Sequence, residues 1–144
     1  MITKDPELRL AEWRELRYRM DQSQDPFSLV LDFWSDVHLI PFNHKIDQYN
    51  SKSWPTPWEI IIDNRYDDFT IAMMMGLTLK LTNKFANSNI DIKTMVDENR
   101  TRLYNLVYVD NEMVLNYDRT RAVKAQDIPD SFLLENQVDI LRPR

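Results

Sequence analysis

A single glycine, Gly76, stands among 144 residues, and there is no cysteine. Loops that wrap a phosphate with successive backbone amides need several residues without a Cβ, so a glycine-rich nucleotide cradle is closed to this chain. The same shortage removes the glycine-flanked elbow on which serine nucleophiles are presented. The lack of cysteine removes thiol chemistry and disulfide scaffolding, and it fits a reducing compartment. Two histidines, His38 and His44, do not by themselves fill a histidine-based zinc shell.

Shape and apolar surface are what remain. Hydrophobic residues make up 43% and charged residues 28%, the balance of a globular chain rather than a disordered one. The length suits one domain over residues 1–144, able to bury about two thirds of its unfolded surface. Eighteen basic against 23 acidic residues leave a net charge of −5, which disfavours wrapping bulk nucleic acid. The apolar stretch Ile71–Leu79 is far too short to cross a bilayer, and Met1–Glu7 holds no apolar targeting core. The expectation is a soluble protein that is not secreted through a signal peptide and has no membrane partner.

Asp5-Pro6 reads as a helix cap followed by a first helical residue, since proline has no amide hydrogen where none is needed. Leu10, Trp13, Leu16 and Met20 then form one apolar stripe through about Asp21. Asp25-Pro26 repeats the signal, and Phe27, Val30, Leu31 and Trp34 predict a second helix ending near Val37. Residues 5–37 are thus a helical arm. Residues 38–58 form a Trp/Pro-rich connector without periodicity, carrying Phe42, Tyr49, Trp54 and Trp58 among Pro41, Pro55 and Pro57. Prolines restrict φ while the aromatics offer large apolar area, so this segment is expected to lie packed across the core. Trp and Tyr are also frequent interface anchors, and these four aromatics are the candidate protein-contact residues.

Residues 59–118 are the expected core. Thr56-Pro57-Trp58-Glu59 is a capping box that predicts a short helix to about Asn64. Asp67–Phe85 is apolar on more than one face, which predicts a buried helix against a sheet. Gly76 inside it marks a close approach by another element, and Met73, Met74 and Met75 read as core filling. The period then changes to two. Strands are predicted at Ile90–Val96, Arg102–Val109 and Met113–Tyr117, with turns at Asp97–Thr101 and Asp110–Glu112. In the extension, residues 119–144, Val138–Leu141 is a candidate edge strand. The expected class is α+β: N-terminal helices and a buried central helix on a small, mainly antiparallel sheet of three to four strands.

Candidate chemistry is sparse. Asp63, Asp67 and Asp68 read as acids placed by the helix dipole, and none of the acidic turns matches a calcium loop. His38 and His44, even with Asp36 and Asp47, follow no recognised ligand spacing, so neither metal nor cofactor is expected. Lys80, Lys84, Lys93, Arg100 and Arg102, with Tyr104 and Tyr108 as stacking platforms, outline an alternative as a single-stranded nucleic-acid module.

Two resemblances add to this reading. The order of a buried helix (Asp67–Phe85) and strands at Ile90–Val96, Arg102–Val109 and Met113–Tyr117 resembles the transglutaminase-like, papain-related core. That family places a cysteine at the helix start, a histidine on the middle strand and an aspartate on the next. Here Asp118 stands in the aspartate's place, while Arg65-Tyr66 and Tyr104-Asn105 leave the other two empty. The resemblance implies a scaffold without its catalytic pair, or a divergent enzyme using Asp118 with Tyr104 or His44. The stretch Asn43-His44-Lys45 through Ser53-Trp54-Pro55-Thr56-Pro57-Trp58-Glu59 resembles small uncharacterised proteins of T4-like tailed bacteriophages, including those infecting cyanobacteria. It implies a minor structural, assembly or accessory protein working in the virion or host cytoplasm. Together these readings predict a non-catalytic protein that binds a protein partner or itself through Phe42, Tyr49, Trp54 and Trp58.

Overall fold

Helix α1 spans Pro6–Gln22 in the computed structural model, which describes residues 5–143. The expectation about a targeting core rested partly on Met1–Lys4, which lie outside the described residues. Asp5 caps α1 by accepting the Leu8 amide at 2.9 Å. The buried stripe is Arg9, Trp13, Leu16 and Met20, with Arg9 where Leu10 was expected. The guanidinium explains this: Nε donates to the Ile61 carbonyl at 3.0 Å and Nη2 to that of Ile62 at 2.9 Å. Those carbonyls lie in the last turn of helix α3, Pro57–Asp63, beyond the Ile60 carbonyl that accepts the Asn64 amide.

Helix α2, Pro26–Ser35, ends two residues before Val37, although Val37 remains buried. The capping box of α3 forms as its sequence predicts. Thr56 Oγ1 accepts the Glu59 amide at 3.2 Å, and Glu59 Oε1 accepts the Thr56 amide at 3.0 Å. Helix α4, Asp68–Lys80, buries every residue from Phe69 to Leu79. It has no exposed face because α2 covers one side and the sheet the other. Gly76 is the close approach: a Cβ there would lie 3.1 Å from Ile140 Cγ1 and 3.3 Å from Ile90 Cγ2.

Helix α4 stops at Lys80, not Phe85. The Thr82 hydroxyl donates to the Leu79 carbonyl at 2.6 Å and accepts the Phe85 amide at 3.2 Å, so a local turn replaces the next helical bonds. The Lys80 ammonium donates to the Ser88 carbonyl and secures the same turn.

The sheet contains β1 (Ile90–Val96), β2 (Leu103–Val109), β3 (Met113–Leu115), β4 (Val123–Lys124) and β5 (Leu133–Asp139). Its order is β4-β3-β2-β1-β5, with every neighbouring pair antiparallel. The α+β class is as expected, but the sheet has five strands rather than three or four. The additional strand, β4, is two residues long, below the length at which alternation is visible in sequence. The edge strand of the extension begins at Leu133, before the expected Val138. Asp110 and Asn111 take positive φ, 53° and 56°, and make the tight β2–β3 turn whose twist suits a hairpin.

Alternate side chains of β2 point to opposite faces of the sheet. Val107 and Val109 join Ile90, Ile92 and Ile140 under α4. Leu106 and Tyr108 join Val114 and Ile128 on the reverse, where Tyr104, Tyr117 and Phe132 add a partial cover. Among the described residues no helix is long and apolar enough to cross a membrane.

Candidate functional site at the amino end of the central helix

The connector is pinned to the start of α4. Asp67 caps the helix by accepting the Thr70 amide at 2.8 Å and the Thr70 hydroxyl at 2.6 Å through Oδ1. Its Oδ2 accepts the Asn43 amide at 3.0 Å, and Asn43 Nδ2 donates to the Arg65 carbonyl at 3.0 Å. A parallel bridge between Leu39 and Tyr66 holds the same junction. Burial pushes the Tyr66 phenol well above its ordinary titration range, with the Trp34 ring 5.5 Å away.

Asp68, the next residue, is more than a dipole acid. Its Oδ2 accepts from Asn105 Nδ2 at 2.9 Å, and its Oδ1 from Arg119 Nη2 at 2.7 Å and Asn116 Nδ2 at 3.4 Å. Asn105 Oδ1 accepts from the Thr94 hydroxyl at 2.8 Å, and Asn116 Nδ2 also reaches the Asn105 carbonyl at 2.8 Å. Helix α4, strands β1 and β2, and the segment after β3 thus meet in one polar cluster, with Thr94, Asn105 and Asn116 all buried. Reading Asp68 from its place on a helix missed this, because partners 37 to 51 residues away leave no local trace.

Two clefts meet over the cluster, sharing Asp68, Leu103 and Asn105. The larger, about 450 Å³, is also lined by Pro41, Phe42, His44, Tyr49 and Phe69. The smaller, about 340 Å³, is lined by Arg102, Tyr104, Asn116, Tyr117 and Arg119.

The four candidate aromatics divide between two places. Phe42 and Tyr49 stand on the rim of the larger cleft, 61% and 73% exposed. Trp54 is half-buried behind it, edge-on to Phe69 at 5.9 Å, with its indole N–H donated to the Asp47 carbonyl at 2.7 Å. Trp58 faces elsewhere: it stacks edge-on with Trp13 at 5.9 Å and lines a separate depression with Glu7, Leu10 and Arg14. Leu103, 51% exposed on the rim of both clefts, carried no sequence signal, since it reads as an ordinary strand residue.

No family model, curated protein or solved structure matches this chain.

The residues named with the transglutaminase-like resemblance lie in separate places. Arg65-Tyr66 precede helix α4, which begins at Asp68, and Tyr104-Asn105 lie on β2. Asp118 turns to its own loop, where it accepts the Thr120 amide at 2.8 Å and hydroxyl at 2.6 Å. Those bonds and the Arg121 guanidinium hold its carboxyl below the usual carboxylate range. His44 lines the larger cleft, edge-on to Phe42 at 5.0 Å, while Tyr104 lines the smaller.

The basic residues are dispersed. Lys80 and Lys84 are tied to the carbonyls of Ser88 and Ser23 beyond the carboxyl end of α4. Lys93 lies over the Tyr108 ring at 4.2 Å, and Arg100 pairs with Glu135 at 3.2 Å. Among the described residues no three His, Asp or Glu side chains are grouped to hold a metal ion.

Proposed function

We propose that this chain is a non-catalytic interaction protein that grips a protein partner through the larger cleft. The observation that carries this reading is the exposure of Phe42, Tyr49 and Leu103, at 61%, 73% and 51%, around one depression. Water gains little by covering such groups, and apolar patches of this kind on a rigid surface mark contact sites. Rigidity comes from Asn43, Asp67 and the Trp54–Phe69 contact, so little ordering entropy is lost when a partner docks.

The polar cluster beneath the cleft supports the same role. Asp68 and Asn105 are spent on one another, on Thr94 and on Arg119, which orders the floor. The resemblance of the connector to T4-like phage proteins supports a place as a minor structural or accessory component of a bacteriophage.

The test is a Phe42→Ser/Tyr49→Ser double variant, read by light scattering and by capture of partners from phage-infected cells. Loss of association with an unchanged melting temperature is the expected result. Association of equal strength in both proteins, or none in either, would overturn the reading.

A further inference from the structure

Leu141 is the most exposed large apolar side chain among the described residues, at 77%, and Tyr49 on the rim of the larger cleft is next, at 73%. The two lie toward opposite ends of the sheet. Leu103, which lines the cleft, pairs with Val96, and Val96 pairs with Leu133 at the start of β5. From there β5 runs to Asp139, about 20 Å away. Ile140 continues the ladder by donating to the Ile90 carbonyl at 2.8 Å, so residues 141–143 set off from the far end. Three residues extend about 10 Å at most, and this segment does not reach the cleft of its own chain.

Cleft and segment are also complementary in charge. Among the residues lining the larger cleft three are aspartates, Asp47, Asp67 and Asp68, and none is a lysine or an arginine. Asp68 is offset by Arg119, and the oxygens of Asp67 are held by Thr70 and Asn43. Asp47 is exposed; its carboxylate accepts the Tyr49 amide at 2.9 Å and has no cationic partner among the described residues. The segment after β5 reads Leu141-Arg142-Pro143-Arg144, with no acid in it. Arg142 is exposed and makes no ion pair among the described residues. Pro143 holds the residue before it extended, so little backbone freedom is lost when the segment is bound.

We propose that the occupant of the larger cleft is the segment of residues 141–143 from a second copy of this chain. The proposal rests on the reading of that cleft as a contact site and names its partner. Leu141 covers Phe42, Tyr49 and Leu103, which removes from water the most exposed apolar groups of both surfaces. The Arg142 guanidinium pairs with the Asp47 carboxylate beside the Tyr49 ring, whose face attracts a cation. The volume of about 450 Å³ suits two or three residues. Because cleft and segment sit at opposite ends of the sheet, two copies side by side in opposite directions fill both clefts, and copies in series fill one after another.

The test is the mass of the full chain by size-exclusion chromatography with light scattering, from micromolar to millimolar concentration. It compares the wild type with Arg142→Glu, Asp47→Lys and the variant carrying both changes. The wild type is expected to gain mass as concentration rises. Each single reversal is expected to weaken association by about tenfold or more, and the pair to restore it, since opposite charges meet again. Both residues are exposed, and recovery in the double variant shows that neither change has spoilt the fold. A wild type that stays monomeric, association unaffected by Arg142→Glu, or a double variant as weak as the single ones would overturn the proposal. A monomeric wild type that still captures another protein through Phe42 and Tyr49 removes the second copy as the occupant and leaves the contact reading standing.

Discussion

Asp91 on β1 stands directly across from Asp139 on the edge strand β5, two carboxylates in one cross-strand pair. Burial, the hydrogen bond from Asp139 and its negative charge push the Asp91 carboxyl up to about 6, against a smaller opposing pull from Lys93 and Gln137. A raised carboxyl means that the fold favours the protonated form. Its stabilisation is complete below the ordinary value of 3.8 and is lost as pH rises through about 6. Unfolding in urea at pH 5 and 7.5 is expected to show the wild type losing stability across that interval. Asp139→Asn, which keeps a hydrogen-bonding partner and removes the repulsion, is expected to flatten the dependence. Because Asp91 is only half-buried, the gain at pH 7.5 is expected to be about 1 kcal/mol. An equal slope in both proteins would refute the assignment.

Thr78 holds two tryptophans. Its Oγ1 accepts the Trp13 indole N–H at 2.9 Å and that of Trp34 at 3.2 Å, while donating to the Met74 carbonyl at 2.5 Å. Thr78→Val keeps the shape but leaves two buried donors without an acceptor, and is expected to cost about 2–4 kcal/mol. Thr78→Ser keeps the oxygen and is expected to cost less than half as much. Chemical denaturation of the two variants measures the difference.

At Gly76 two effects oppose each other. Alanine favours the helix by about 1 kcal/mol, yet its Cβ would press on the side chains of Ile140 and Ile90 at 3.1 and 3.3 Å. Global stability is expected to change by less than about 1 kcal/mol in Gly76→Ala. The strain falls on the end of the chain, so faster hydrogen exchange is expected at the Ile140 amide, which donates to the Ile90 carbonyl at 2.8 Å. Wild-type protection at that amide would show that the contact yields without loosening.

The aromatics of the connector are expected to separate by their burial. Trp54→Ala removes the contact with Phe69 and the bond to the Asp47 carbonyl, and is expected to cost about 2 kcal/mol. Phe42→Ala and Tyr49→Ala touch mainly solvent and are expected to stay within about 0.5 kcal/mol of the wild type. Thermal melts of the three variants decide this. A large loss in Phe42→Ala would mean that this residue serves the fold and not a partner.

Much of the fold was legible because its signals are local. Asp5-Pro6, Asp25-Pro26 and Thr56-Pro57-Trp58-Glu59 place three helix starts, each set by a side chain accepting an amide three residues on. The strands were visible through their period of two, since the pleat repeats every two residues. The carboxyl end of α4 was not legible, because apolar spacing continues to Phe85 while the Thr82 hydroxyl diverts the backbone. β4 was too short to register.

The candidate site was only half visible. Phe42 and Tyr49 stood out as large apolar groups in an irregular segment, and the structure sets both on one rim. The cluster of Asp68, Asn105, Asn116 and Arg119 left no sequence trace, for each member looks ordinary in its own neighbourhood.

Taken alone, the chain determined its helix caps, its strand faces, its central buried helix and the loss of thiol and glycine-loop chemistry, all consequences of residue type acting over a few positions. Tertiary structure alone decided that Arg9 closes α3, that Trp58 turns away from the cleft, and that Asp68 gathers Asn105, Asn116 and Arg119. Those outcomes depend on which distant groups the folding chain brings within bonding distance, and no local pattern encodes such meetings.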